Sequence, residues 1–331
     1  MKIDIFPHIL PIKYKEALHK EIGQSLFKSI HDSIPTLYDL DYRFRIMDKF
    51  EGLVQVLTLA APPVENISDP QKSLDLAKLA NDEMAELVRK YPDRFVAAVA
   101  CLPMNNIDAA LDETDRAIND LKFRGIQIFT PINDKCLDSP EFIPLYEKMS
   151  QYNLPIWIHP ERPRDYPDYR TEDSSKYRVH ITFGWVYETS VAMARLVLSG
   201  ILEKYPGLKF ITHHGGAMIP FLEKRIVGSL DGAEVLRGEK FKENLSAPQI
   251  DYFKNFYADT ALYGSTAGLM CSYAFFGAAH MLFGTDMPFD IEFGERYTRE
   301  TIESIERMDI PDKDKRKIFE DNARQLLRLS L

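Results

Sequence analysis

The chain is poor in cysteine, has a net negative charge and lacks glycine-rich nucleotide motifs, and each of these features argues against a class of protein. Only 3 cysteines occur among 331 residues, and no two form a C-x-x-C pair. This usage is typical of a reducing compartment rather than of a disulfide scaffold. The net charge of −9 provides no basic stripe to neutralise phosphates, so a nucleic-acid partner is not expected. Neither G-x-G-x-x-G nor G-x-x-x-x-G-K-[ST] occurs, which argues against a dinucleotide or P-loop fold.

Segments that direct a chain into or across a membrane are also lacking. No apolar run reaches the roughly 18 residues that are needed to span a bilayer. The N-terminus enters an apolar strand pattern at once, without a charged leader or a small-residue cleavage site. We therefore expect a cytoplasmic protein with no membrane partner.

Eight short apolar segments are present, and most are continuous rather than alternating, as in parallel strands buried on both faces. They are residues 3–6, 53–59, 95–101, 125–129, 154–158, 208–212, 256–259 and 281–284. Helical apolar stripes separate them at residues 73–90, 107–121, 141–152, 190–205, 265–276 and 299–308. Strands that alternate with helices predict a parallel α/β sheet, and eight such units predict a closed (β/α)8 barrel of the TIM type.

We predict one domain over residues 1–331, because α/β barrels commonly exceed about 250 residues. Two insertions interrupt the pattern. Residues 11–50 are expected to be mostly helical, and residues 161–185 are rich in proline, arginine, tyrosine and aspartate. The second insertion follows the fifth strand, so it should overhang the carboxyl end of the barrel. Residues 311–331 are predicted to form a last helix that closes the outer ring.

Side chains that bind metals or move protons follow several of the predicted strands. They are His8, His159, His213, His214, Asp259 and Asp286. Because the active site of such a barrel lies at the carboxyl ends of its strands, we expect these side chains to converge on one rim. Phe6 lies two residues before His8 on the first predicted strand, and phenylalanine cannot bind a metal.

The motifs resemble the amidohydrolase superfamily, in the branch that includes aminocarboxymuconate-semialdehyde decarboxylase and the dihydroxybenzoate decarboxylases. They span nearly the whole chain in order. The motifs are IDIFPHILP at 3–11, YPDRF at 91–95, GIQI at 125–128, WIHP at 157–160, EKYPGLK at 203–209, HHGG at 213–216 and FGTDMPF at 283–289.

The resemblance implies that His8, His159 and Asp286 bind a divalent metal, with zinc expected first and manganese second. It also implies that His214 and Asp286 act in catalysis by moving protons. The family's catalytic histidine falls on His214 because Pro220 follows it at the expected distance. His213 is then expected to point elsewhere or into the barrel wall.

Phe6 departs from the family pattern, which has His or Glu at this position. Two histidines and one aspartate remain, as many ligands as in many catalytic zinc sites. Two interpretations stay open. The chain has either a functional but weaker metal site, to which His214 could add a fourth ligand, or no metal and an acid–base group of His214, His159 and Asp286.

Substrate contacts are predicted from the insertion at residues 161–185 and from Phe6. Arg162 and Arg164 suit a substrate carboxylate through bidentate contact, although solvated loop charges are an equal alternative. Trp185 belongs to a dense group of aromatic residues that we expect to wall a pocket for a planar ring, with packing of the lid as the alternative. Phe6 would add apolar surface to the floor of that pocket.

The favoured function is a metal-dependent, non-oxidative decarboxylase of an aromatic or muconate-type carboxylic acid. The sequence His-Gly-Gly at 214–216 favours the aminocarboxymuconate branch over the salicylate type. The first alternative is a metal-dependent hydrolase of a lactone, ester or amide. The second is a metal-free, non-catalytic binding barrel. A small carboxylate or lactone is therefore the expected partner, and a homodimer is expected only by analogy with relatives.

Overall fold

Nine short parallel strands form the centre of the part of the chain that a computed structural model describes, residues 1–241 and 243–330. They are β1 Lys2–Asp4, β2 His8–Ile9, β3 Leu53–Leu59, β4 Phe95–Ala98, β5 Ala100–Cys101, β6 Ile126–Thr130, β7 Ile156–Pro160, β8 Phe210–Thr212 and β9 Tyr257–Ala258. Their residues are almost all buried, as the continuous apolar segments predict.

The strands close into a barrel. β1, β2 and β4 pair with β3, and β5 to β9 pair in chain order, all in parallel. Residues 281–283 close the ring between β9 and β1. Met281 bridges Ala258, Leu282 N donates to Ala258 O at 2.9 Å, and Ile5 N donates to Phe283 O at 2.9 Å. The predicted (β/α)8 barrel is therefore confirmed.

Helices surround the strands. They are α1 Ile12–Ile22, α2 Leu26–Ser33, α3 Leu40–Met47, α4 Pro70–Lys90, α5 Ile107–Asn119, α6 Ile143–Tyr152, α7 Val179–Thr182, α8 Gly184–Leu198, α9 Ile201–Lys204, α10 Ile219–Arg237, α11 Gln249–Phe253, α12 Thr266–Phe276, α13 Glu295–Glu306, α14 Asp312–Arg316 and α15 Asn322–Leu327. Short 3₁₀ turns lie at Pro35–Leu37, Val64–Asn66, Pro140–Phe142, His214–Gly216 and Ala278–His280, and a π-helical turn lies at Lys317–Asp321. Within the described residues, no helix is long and apolar enough to cross a membrane.

The insertion at residues 11–50 is helical, as predicted, and a buried arginine joins it to the barrel. Arg43 of α3 is completely buried. Its Nε donates to Gln55 Oε1 at 2.8 Å, and its Nη1 donates to the carbonyl oxygens of His8 at 2.8 Å and Thr36 at 3.1 Å. Because His8 lies in β2, these bonds hold the backbone of a predicted metal ligand.

The structure differs from the sequence prediction in the details of several elements. The first strand, predicted over residues 3–6, ends at Asp4 as β1, and the short strand β2 follows it outside the predicted range. The predicted third strand is interrupted at Val99. The predicted last helix contains α14, the π-helical turn and α15, and residue 331 lies outside the described residues. The apolar pattern does not predict α10, because Ile219 is the one buried residue of that helix. Phe221 and Leu236 of α10 are exposed.

Candidate metal centre

Four histidines and two aspartates meet at the carboxyl ends of the strands. They are His8 in β2, His159 in β7, His213 and His214 directly after β8, Asp259 directly after β9, and Asp286 after the closing segment. All six side chains are buried. His214 and Asp286 have φ angles of 56° and 61°, in the left-handed region that non-glycine residues rarely adopt. Such backbone strain is concentrated at functional sites.

The carboxylate of Asp286 is the hub of the cluster. Its Oδ1 lies 3.1 Å from His8 Nε2 and 3.2 Å from His213 Nε2. Its Oδ2 accepts a hydrogen bond from the Tyr263 hydroxyl at 2.7 Å and lies 3.8 Å from His214 Nε2. Burial alone would raise the pKa of Asp286, but the neighbouring histidines, His213 above all, hold this pKa well below its usual range. Asp286 is therefore an ionised carboxylate.

His8 and His159 are neutral imidazoles that are ready to bind a metal. Burial lowers the pKa of His8, and Asp286 offsets only part of that effect. Burial, with His8 and His213 nearby, lowers the pKa of His159 well below its usual value. His159 Nδ1 lies 2.7 Å from the carbonyl oxygen of Pro160, so Nδ1 carries the proton and Nε2 keeps its lone pair.

His213 lies in the centre of the cluster, so the expectation that it points elsewhere or into the barrel wall is wrong. Its Nδ1 is hydrogen-bonded to Asp259 Oδ2, and its Nε2 faces Asp286. Burial alone would lower the pKa of His213, but Asp259 and Asp286 together raise it to about 10 in the absence of a metal. Asp259 Oδ1 in turn accepts from the backbone N–H groups of Gly215 at 2.9 Å and Ala261 at 3.1 Å.

Phe6 lies against these histidines and has no exposed surface. Its ring is stacked on the imidazole of His213, with 3.8 Å between centroids and 9° between planes. The ring centroids of His8 and His159 are 5.5 Å and 6.0 Å away. Phe6 therefore supports the side of the cluster at which the family's first-strand ligand is expected. Its assignment to substrate binding stays a prediction.

Tyr263 is a site residue that the sequence prediction missed. Its hydroxyl donates to Asp286 and lies 3.3 Å from His214 Nε2, and its ring stacks on Tyr297 with centroids 4.4 Å apart. Burial and the adjacent Asp286 raise the pKa of Tyr263 well above its usual value, so its hydroxyl keeps its proton. The available signal was its position in the loop that follows the seventh barrel strand.

The three predicted substrate residues of the second insertion have different surroundings. Trp185, in α8, lies beside the cluster, with its ring centroid 5.6 Å from that of His159 and 6.4 Å from that of His214. Arg162 lies in the loop after β7 and forms an ion pair with Glu188 of α8. Arg164 is exposed. The structure thus brings Trp185 to the site and directs the charge of Arg162 toward α8.

The donor set suits a divalent metal. The ligand atoms of His8, His159 and His213 lie within 4.8 Å of one another, as do those of His213, His214 and Asp286. Imidazole and carboxylate groups are ligands that zinc and related ions accept. Among the predicted ligands, His8 therefore lies close to His159 and, at 3.1 Å, to Asp286, and the role of the three as ligands stays a proposal.

Proteins of similar sequence or structure include several decarboxylases. The gamma-resorcylate decarboxylase of Rhizobium sp. (strain MTP-10005) is 31% identical over 297 residues, which cover 87% of each chain. The 2-amino-3-carboxymuconate-6-semialdehyde decarboxylase of Dictyostelium discoideum is 26% identical over 348 residues, 99% of this chain and 92% of that protein. The crystal structure of a dihydroxybenzoic acid decarboxylase from Polaromonas sp. JS666 contains manganese and the inhibitor 2-nitroresorcinol. It matches with a TM-score of 0.79 at 28% identity and covers 100% of this chain and 97% of that one.

The family model for amidohydrolases matches residues 34–329. The chain therefore belongs to the amidohydrolase family. The similarity to the resorcylate and carboxymuconate decarboxylases confirms the branch that the motifs indicate.

Proposed function

We propose that the protein is a metal-dependent, non-oxidative decarboxylase of an aromatic carboxylic acid with an ortho-hydroxyl group. One observation carries the proposal. Buried histidines and Asp286 converge at the carboxyl end of the barrel in a chain that is similar, over 87% of its length, to a gamma-resorcylate decarboxylase. A muconate-type acid is the second substrate class, because the carboxymuconate-semialdehyde relative matches 99% of the chain.

His8, His159 and Asp286 would hold the metal in this proposal. Zinc and manganese both accept such ligands, and the Polaromonas relative contains manganese. When bound, a divalent ion supplies positive charge that orients an anionic substrate through its oxygen atoms. Because the imidazoles of His8 and His159 are neutral, they do not repel a bound cation.

Decarboxylation needs a proton donor beside the ring carbon that carries the carboxylate. Tyr263 links Asp286 and His214, with its hydroxyl 2.7 Å from Asp286 Oδ2 and 3.3 Å from His214 Nε2. We assign proton delivery to the pair formed by the Tyr263 hydroxyl and the His214 imidazole. Solvent replaces the delivered proton after each turnover. An electron pair of the ring forms the new C–H bond at that carbon. The bond from the ring to the carboxylate carbon then breaks, and its electron pair restores the aromatic ring. Carbon dioxide leaves, and the phenol remains.

Aromatic side chains around the cluster support a planar substrate. Phe129 and Trp185 lie 4.9 Å and 5.6 Å from His159, and Phe289 lies 5.5 Å from His8, measured between ring centroids. Flat apolar walls of this kind favour a ring that can stack on them or contact them edge to face.

The test is release of carbon dioxide from a panel of acids by the metal-loaded, full-length protein. We expect turnover of 2-hydroxybenzoic and 2,6-dihydroxybenzoic acids and none of 3-hydroxybenzoic acid. His159→Ala should lower kcat/KM by at least about 100-fold. His280→Ala is the matched control, since His280 stacks on Tyr257 at the start of β9, away from the cluster. The proposal would be abandoned if no acid released carbon dioxide while a lactone or ester panel was hydrolysed.

A further inference from the structure

We propose that His213 is the metal ligand that replaces the one missing at Phe6, so that the metal is held by His8, His159, His213 and Asp286. This inference rests on the proposed metal dependence. His213, which precedes the family's catalytic histidine His214, would then serve as the metal ligand that the family has at position 6 of the first strand.

The first argument is position. The imidazole of His213 lies flat on the ring of Phe6, 3.8 Å away, and therefore stands in contact with the side chain that occupies the missing ligand's place. The phenyl ring fills the barrel wall behind His213 and supplies a flat surface for it.

The second argument is the direction of the free nitrogen. His213 Nε2 lies 3.2 Å from Asp286 Oδ1, and a ring nitrogen of His213 lies within 4.8 Å of the ligand atoms of His8 and His159. Ligands that share one ion at about 2.1 Å lie roughly 3 to 4 Å from one another. Small side-chain movements would therefore bring these four groups around one ion.

The third argument is the outer partner of His213. A histidine that binds a metal usually donates its other ring N–H to a carboxylate or carbonyl oxygen, which sets the tautomer. Asp259 accepts from Nδ1 of His213, and the backbone of Gly215 and Ala261 holds that carboxylate in place. The carbonyl oxygen of Pro160 does the same for His159.

His214, the next residue, also lies near Asp286, but it lacks the outer hydrogen-bond partner that His213 has. Its Nε2 contacts the Tyr263 hydroxyl, and its Nδ1 is buried without a hydrogen-bond partner. His214 remains with Tyr263 as part of the proton-delivering group, and His213 takes the metal. The two neighbouring histidines thus have separate roles.

The test is metal affinity, measured by titrating chelator-treated, full-length protein with Zn²⁺ or Mn²⁺ against a competing chelator. His213→Ala should raise Kd by more than 100-fold, and Asp259→Asn should raise it by about 10- to 100-fold. His214→Ala is the matched control, and we expect its Kd to stay within about threefold of the wild-type value. In the double variant Phe6→His/His213→Phe, the ligand and its stacking ring exchange places, and most of the affinity lost in His213→Phe should return.

A measurement on the unmodified protein avoids any effect of the substitutions on folding. X-ray absorption of the zinc-loaded wild-type protein should count the imidazoles of His8, His159 and His213 around the ion. A count of two, or unchanged affinity in a folded His213→Ala, would overturn the relocated ligand. If His159→Ala then still lost the metal, the proposed metal dependence would stand without His213. A wild-type protein that bound no added metal and released carbon dioxide without it would overturn both.

Discussion

At the scale of single residues, a tight backbone turn directs the side chains of the adjacent residues His213 and His214 to different partners. His213 has an extended backbone, with φ of −80°, whereas His214 has a φ of 56°. Gly216 follows with a φ of 79°, and a Cβ atom there would lie 2.4 Å from the ring of Phe276. The tight turn therefore needs glycine at 216, and it sends His213 to Asp286 and His214 to Tyr263.

At the same scale, we predict that Tyr263→Phe lowers kcat by about 10- to 100-fold, with KM changed by less than about threefold. The change removes only the hydroxyl that holds Asp286 Oδ2 at 2.7 Å and leaves the ring in its stack with Tyr297. Steady-state kinetics on the accepted acid are the measurement. Tyr297→Phe is the control, because its ring lies in the same stack. An effect of Tyr263→Phe confined to KM would show that the hydroxyl binds substrate instead.

At the scale of the elements, the insertion α1 to α3 acts on the site through Arg43. Its guanidinium satisfies three acceptors, and two of these are backbone carbonyls of His8 and Thr36. Burial lowers the pKa of Arg43 to about 10, while Asp4 opposes this effect. The group is therefore charged at neutral pH and couples α3 to β2 and β3.

We predict that Arg43→Met destabilises the protein by about 3 kcal/mol, because three buried acceptors lose their donor. Urea unfolding at neutral pH measures the free energy of unfolding. Arg45→Met is the matched control, since Arg45 lies in the same helix but is exposed, and we expect it to change stability by less than about 0.5 kcal/mol. Equal effects of the two changes would contradict a structural role for the guanidinium.

At the scale of the whole molecule, buried carboxyl groups make stability depend on pH. Burial raises the pKa of Glu65, in the turn after β3, to about 8, and nearby Glu161 adds to the shift. The unfolded chain releases this proton near pH 4.5, whereas the folded chain holds it until about pH 8. The folded state binds more protons in that window, so the contribution of Glu65 to stability falls as pH rises through it.

Glu65→Gln should remove this dependence. Relative to the wild type, we expect its free energy of unfolding to rise by up to about 1.4 kcal/mol per pH unit between roughly pH 4.5 and 8. Urea midpoints at pH 5, 6.5 and 8 measure the difference. Glu86→Gln, at an exposed position of α4, is the control. Parallel pH profiles of Glu65→Gln and the wild type would show that Glu65 is already ionised when folded.

Much of the site was predictable because strand ends are local features of the sequence. His8, His159 and Asp286 could be placed on one rim from apolar segments and the rule that parallel strands end together. The hydrogen bonds that divide their roles join distant positions. Asp259 lies 46 residues from His213, and Arg43 lies 35 residues from the His8 carbonyl that it holds. No local pattern encodes such contacts.

The sequence by itself determined the barrel, the family and the absence of a ligand at Phe6. Continuous apolar segments specify buried parallel strands, and the motifs at their ends specify the family. Only the tertiary structure decided that His213 rather than solvent faces Phe6, and that Tyr263 contacts Asp286. The reason is physical, because closing the barrel brings β1, β8 and the segment before Asp286 together and fixes which side chains share the enclosed space.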